Sequence, residues 1–262
     1  MYTFTSQSPL LKKVFYARTF LTILLAIGFA DLVFNNQVVH AQSIDISSDG
    51  ITTGISGLTD NGTLVTIDPT VTIDLNPSVI IGYLNAGKSV TLKSADNITV
   101  ESWTDIIVNP PSPVTLRFES EGLLPSQILF NWTVEVKSTG SPMNVEMIMR
   151  TVSNARSATV VLNNFDVNTN GGDFTINNVV SYSTEGLSIG NASGGATINT
   201  GAADISLSGD ANGATVSTGV VYITNSSLST TSGNITVSGL VRGTNSNGAN
   251  AVLINANSTI QT

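Results

Sequence analysis

The 262-residue chain has no cysteine and one histidine, and few of its residues are charged (11%) or aromatic (6%). Without thiols, neither a disulfide scaffold nor a thiolate metal centre is available. Ten Lys and Arg are too few for the basic surface of a nucleic-acid binder. Hydrophobic residues still make up 41%, too many for a disordered tail, and the length suits one large domain or two small ones.

Residues 1–41 read as a signal peptide for export. Lys12, Lys13 and Arg18 form a basic segment, and Thr19 to Ala30 form an apolar run. That run is short for a membrane span, and Asp31 interrupts its extension through Leu32-Val33-Phe34. Val39-His40-Ala41 offers small or β-branched residues where a signal peptidase reads, which predicts cleavage before Gln42. The exported chain then holds seven Lys and Arg against seventeen Asp and Glu, a net charge of −10. His40 leaves with the leader. Catalysis by Ser-His-Asp or Cys-His groups is thereby excluded, as is His-ligated zinc or iron.

The remaining chain alternates apolar and polar residues in short runs. Examples are Leu64-Val65-Thr66-Ile67-Asp68, Val71-Thr72-Ile73-Asp74-Leu75, Val90-Thr91-Leu92-Lys93 and Ile98-Thr99-Val100-Glu101. Turn formers punctuate these runs, and helical periodicity is nearly absent, so the pattern predicts an all-β fold.

A loose repeat lies on top of the alternation: Gly or Asx, an apolar residue, Thr or Ser, a second apolar residue, then Asn, Ser or Gly. It occurs at residues 96–100, 172–177, 203–208 and 233–238, with looser copies at 185–190, 195–199 and 213–217. Phe174, Ile205 and Ile235 are 31 and 30 residues apart, with a half-step near Leu187. Units this short cannot bury a core alone, which predicts a stacked parallel β-helix, a β-solenoid. Residues 151–262 fit one, since Ser, Thr, Asn and Gly supply 63 of their 112 positions and charges only seven. Asn and Gly suit corners, Thr and Ser suit outward strand positions, and stacked Asn side chains form amide ladders. At about 20 residues per turn, about ten turns and a rod on the order of 50 Å are expected.

The expected organisation is a signal peptide (1–41), N-terminal β-rungs (42–100), an irregular β insertion (101–150) and the Ser/Thr/Asn/Gly-rich solenoid (151–262). The insertion is set apart by Trp103, Trp132, three of the four methionines and five of the eight prolines. Proline is tolerated at edges and corners rather than inside a ladder, so longer rungs or a protruding hairpin are expected there.

Two segments resemble a known family. Asn85 to Val100, with Gly87-Lys88-Ser89-Val90-Thr91-Leu92 followed by Ile98-Thr99-Val100, is similar to the rung after the secretion domain of filamentous haemagglutinin-like exoproteins. Met143 to Arg150 and Ala158 to Ile176, including Asn168-Thr169-Asn170-Gly171-Gly172-Asp173-Phe174-Thr175-Ile176, are similar to later rungs of that family. The resemblance implies a right-handed parallel β-helix, secreted through an outer-membrane partner and used in cell adhesion. The family's "N-A-F-N-x-F" and "N-P-N-G" signatures are missing, Asn76-Pro77-Ser78-Val79-Ile80 standing nearest to the second. The sequence also reaches Thr262 in mid-pattern.

The chemistry on offer is sparse. Arg117, Glu119 and Glu121 alternate along one strand and share a face, which would suit a glycosidase or lyase; a solvated face with one ion pair is the better reading. Glu135 and Lys137 read the same way. Gly171-Gly172-Asp173 and Gly209 to Gly213 approach a calcium-binding nonapeptide without matching it. Trp103 and Trp132 are expected to fill core space, with stacking on sugars as the alternative. Thr66, Thr72 and Thr197 suggest an ice-binding array only if they form a flat lattice. These readings assign no catalytic, cofactor-binding or metal-ligating residue. They predict a secreted or cell-surface, non-enzymatic bacterial adhesin presenting a repetitive surface to a host, a neighbouring cell or a polysaccharide. The alternatives are a carbohydrate-active enzyme using residues 117–121 and an ice-binding solenoid.

Overall fold

The computed structural model describes residues 42–121, 126–149, 158–180, 186–211, 219–241, 250–255 and 257–262. The leader, the repeat copy at 213–217 and part of the calcium-like segment at 209–213 lie outside the described residues. Ala41–Thr262 forms one compact unit.

That unit is an all-β solenoid of three parallel sheets with one short helix. From Ile98 onward every turn visits a first face, a second face and a third face in that order. One turn runs through Ile98–Val100, Ile106–Val108 and Val114–Ser120, and the next through Ser126–Phe130, Val134–Ser138 and Met143–Met149. The second face holds six strands, giving about six turns. Successive strands stay in register: Ile98 pairs with Ile128, Phe174 with Ile205, and Ile205 with Ile235.

The turn is therefore about 30 residues, not the 20 expected. Phe174, Ile205 and Ile235 mark whole turns of the third face. The half-step at Leu187 belongs to the first face, paired with Val160 and Val221. Three faces joined by three corners use more residues per turn than the shorter estimate allowed. About six turns at a 4.8 Å strand spacing span about 30 Å.

Residues 101–150 are no irregular insertion wherever they are described. Val114–Ser120 and Met143–Met149 pair residue for residue across seven positions, and Val134–Ser138 pairs with both second-face neighbours. Inward and outward residues alternate strictly along Val114–Ser120 and Met143–Met149, which buries every second side chain. Pro110, Pro111, Pro113 and Pro142 occupy corners, where a missing N–H costs no ladder bond. Composition changes here because the inward positions carry large side chains. Phe118, Phe130 and Phe165 are fully buried, with ring centroids 5.1 Å and 4.5 Å apart. The buried Met143, Met147 and Met149 fill space beside them.

The first 60 described residues also depart from plain rungs. Ile44–Ile51 enters the first face between Ile73–Leu75 and Ile98–Val100, out of sequence order. The helix Pro77–Asn85 then takes the place of a second-face strand. Asn76 caps it, its side chain accepting from Ser78 N at 3.0 Å, and Pro77 supplies a φ already set for the first turn. Ile80 and Leu84, one turn apart, are fully buried and seal this end of the core against Ile106–Val108 and Ser89–Ser94. Leu58–Asp60 pairs antiparallel with Leu64–Ile67 and covers the third face's edge. At the opposite end the inward-facing Ile254 and Ile260 are 46% and 41% exposed.

Side-chain ladders hold the corners. Ser138, Thr169 and Thr200 stack in register, and each hydroxyl donates to the carbonyl three residues on: Ser141 O at 2.6 Å, Gly172 O, and Ala203 O at 2.7 Å. Thr230, next in the column, donates back to Gly201 O at 2.7 Å and Ala203 O at 3.0 Å. A second ladder runs into the third face, where Asn144, Asp173 and Asp204 each accept from the backbone N–H of the residue one turn later, at 2.7–3.0 Å. Asp173, the carboxylate of the first calcium-like segment, is used in this way. Amide ladders form as composition suggested: Asn191 Nδ2 donates to Asn163 Oδ1 at 2.9 Å, and Asn257 Nδ2 to Asn225 Oδ1 at 3.2 Å.

Candidate functional site

The corner between the first and second faces is built by a column of residues one turn apart. The register of Ile106, Val136, Val167, Ile198, Leu228 and Ile260 places Trp103, Thr133, Asn164, Gly195, Asn225 and Asn257 three positions upstream of each. All but Gly195 adopt positive φ: 65° at Trp103, 60° at Thr133, 46° at Asn164, 51° at Asn225 and 61° at Asn257. Asn tolerates this left-handed geometry, whereas a β-branched or bulky residue is strained by on the order of 1–2 kcal/mol. Hydrogen bonds enforce it, with Trp103 N donating to Trp132 O at 3.3 Å and Thr133 N to Asn164 O at 3.1 Å.

The corner holds an indole out in solvent. Trp103 is 76% exposed and Trp132, on the next turn, 42%. Neither fills the core as expected: both rings reach solvent at the corner, Trp103 from a left-handed backbone. Beside Trp103 lies a cavity of about 190 Å³ lined by Trp103, Asp105, Thr133, Glu135, Asn164 and Asp166, among others. Asp105, Glu135 and Asp166 stand in register on three successive turns, so their Cα atoms are about 4.8 Å apart. Asp105 Oδ1 accepts from Glu135 N at 3.0 Å, and Lys137 Nζ lies 3.5 Å from Glu135. An exposed indole face next to carboxylate and amide acceptors can stack on the apolar face of a sugar ring while accepting from its hydroxyls.

Residues 117–121 lie elsewhere, on the third face. Arg117 pairs with Glu146 at 2.6 Å, and Lys93 with Glu121 at 2.7 Å and Asp68 at 3.7 Å. The Glu121 carboxylate holds the Lys93 amine above its ordinary value. These carboxylates do not join the tryptophans in one groove. The Thr column of the same face reads Thr66, Thr91, Arg117, Glu146, Thr175, Ser206 and Thr236, an ion pair interrupting the array an ice surface requires. Among the described residues no group of three His, Cys, Asp or Glu is placed to hold a metal ion.

Glu135 forms the solvated ion pair with Lys137 that its spacing predicts; Asp105 and Asp166 carry no signal of their own in the sequence. Their 30- and 31-residue spacing was available, but it becomes a signal only once the turn length is known. Compared with known proteins, no family model, curated protein or solved structure matches the chain.

Proposed function

We propose that the protein is an exported, adhesin-like solenoid that attaches to a polysaccharide through the corner bearing Trp103 and Trp132. The observation that carries this reading is the left-handed Trp103, an apolar ring kept in water at a cost in backbone strain. Strain of this kind persists where the surrounding structure imposes it, and it gathers at ligand-contacting positions. The resemblance to filamentous haemagglutinin-like exoproteins supports export, passage through an outer-membrane partner and a place at the bacterial surface. A net charge of −10 on the exported chain disfavours nucleic acid and anionic polymers by general attraction. A neutral or amino-bearing glycan fits better. Single contacts with it are weak, and display of many copies supplies avidity.

The test is retention by insoluble polysaccharides together with affinity electrophoresis in soluble ones, comparing the protein with Trp103→Ala and Trp132→Ala. At least tenfold weaker retention of Trp103→Ala on one polysaccharide class is expected. Equal behaviour of all three proteins on every polysaccharide refutes the site. Protease shaving of whole cells, followed by intact mass, tests export: a product confined to the cytoplasm with the leader attached refutes it.

A further inference from the structure

Asp96 is the most deeply buried carboxylate among the described residues that lacks a charge partner. It is 8% exposed; its Oδ2 accepts from Ser43 Oγ at 3.3 Å, and its Oδ1 has no hydrogen-bond partner. Burial raises its pKa above the ordinary carboxylate value. An ionised carboxylate in this position requires a cation. The lysines and arginine described are all engaged elsewhere: Lys88 with Asp60, Lys93 with Glu121 and Asp68, Arg117 with Glu146, and Lys137 with Glu135.

One further cation arises at this place if the leader is removed. Gln42 lies against Asp96: its carbonyl accepts from Asp96 N at 3.1 Å and from Ser94 Oγ, and the neighbouring Ser43 holds the carboxylate. The Gln42 backbone nitrogen is two bonds from that carbonyl carbon. Its side chain is fixed by donation from Nε2 to Thr70 O at 3.2 Å. We propose that Asp96 receives the α-ammonium group created at Gln42 when residues 1–41 are cleaved away, so that processing completes the solenoid's N-terminal end. This rests on reading residues 1–41 as a cleaved leader.

The strand affected is Ile44–Ile51, which lies inside the first face between two parallel partners. Before cleavage Gln42 carries a neutral peptide N–H, and the buried carboxyl has no counter-charge. The precursor's end is held less firmly, which suits a chain that must stay unfolded for export. After cleavage the ion pair locks the strand.

The experiment uses exported protein in four forms: native; Asp96→Asn; an insertion of three residues after Ala41, which moves the new ammonium upstream of Gln42; and the two changes combined. Intact mass fixes each terminus first. A terminus at Gln42 with a free amine is expected. A chain that keeps residues 1–41 refutes the leader reading and the proposal together, whereas cleavage at another bond or a pyroglutamate at residue 42 overturns the proposal alone. Thermal unfolding at pH 7 follows. Asp96→Asn is expected to lower the midpoint of the native form by several degrees and to leave the insertion form unchanged or raised. Equal effects in both backgrounds overturn the proposal even if Asp96→Asn is destabilising for other reasons. An NMR titration of the Gln42 amine gives an independent readout: a pKa raised above about 8 in the native form and restored by Asp96→Asn is expected. An unshifted amine overturns it.

Discussion

Replacing Trp103 with Asn should change stability by less than about 1 kcal/mol, although losing a tryptophan commonly costs about 3–5 kcal/mol. Two opposing terms set this expectation. Trp103 is 76% exposed, so about a quarter of a side-chain area of roughly 250 Å² is covered, and returning it to water costs about 1.5 kcal/mol at 25 cal/mol per Å². Against this, Asn is the residue already used at the stacked positions 164, 225 and 257, and it relieves left-handed strain of about 1–2 kcal/mol at φ 65°. Glycine would relieve the strain as well but would add unfolded-state entropy, which makes Asn the cleaner probe. Urea unfolding followed by circular dichroism measures the change. The same variant should lose most of its retention on whichever polysaccharide binds the protein. A stability loss above about 3 kcal/mol would show that the ring is a structural element, and the link from strained exposure to recognition would then fail.

Thr200→Val should destabilise the solenoid by about 1 kcal/mol, the low end for a buried hydroxyl, in the same unfolding assay. The low end applies because Ala203 O, to which Thr200 donates at 2.7 Å, also accepts from Thr230 Oγ1 at 3.0 Å and so keeps a partner; no change at all would remove the hydroxyl column as a source of stability. The Asp60 carboxyl is held below its ordinary value of 3.8, chiefly by the Lys88 ammonium 2.6 Å away. A lowered carboxyl stabilises above the unfolded value, and that contribution disappears as pH falls through the folded one. Lys88→Met should therefore raise the Asp60 pKa in an NMR titration and flatten the acid limb of stability below about pH 4; an unmoved Asp60 contradicts the pairing.

The fold was legible because period-two alternation and a 30-residue repeat are both direct consequences of stacking. Inward Phe174, Ile205 and Ile235 sit above one another, and the spacing between them is the length of one turn. The turn was nonetheless read as shorter, because each turn carries three similar strands and Leu187 on the first face resembles the third-face repeat. The helix at Pro77–Asn85, capped by Asn76 and followed by Gly87 at φ 75°, escapes the sequence pattern because nine residues among strands give too few periods to register. The site was hidden for a different reason. A corner residue's exposure depends on φ, and nothing in composition says that a tryptophan occupies the position Asn fills elsewhere. Only register reveals it: aligned on a 30-residue turn, the corner column reads Trp, Thr, Asn, Gly, Asn, Asn, and the first two members break its rule. Those two exceptions flank the cavity that Asp105, Glu135 and Asp166 also line. In a solenoid, a residue that violates its own column is thus a sharper pointer to function than any motif along the chain, because each column states what the backbone alone would choose.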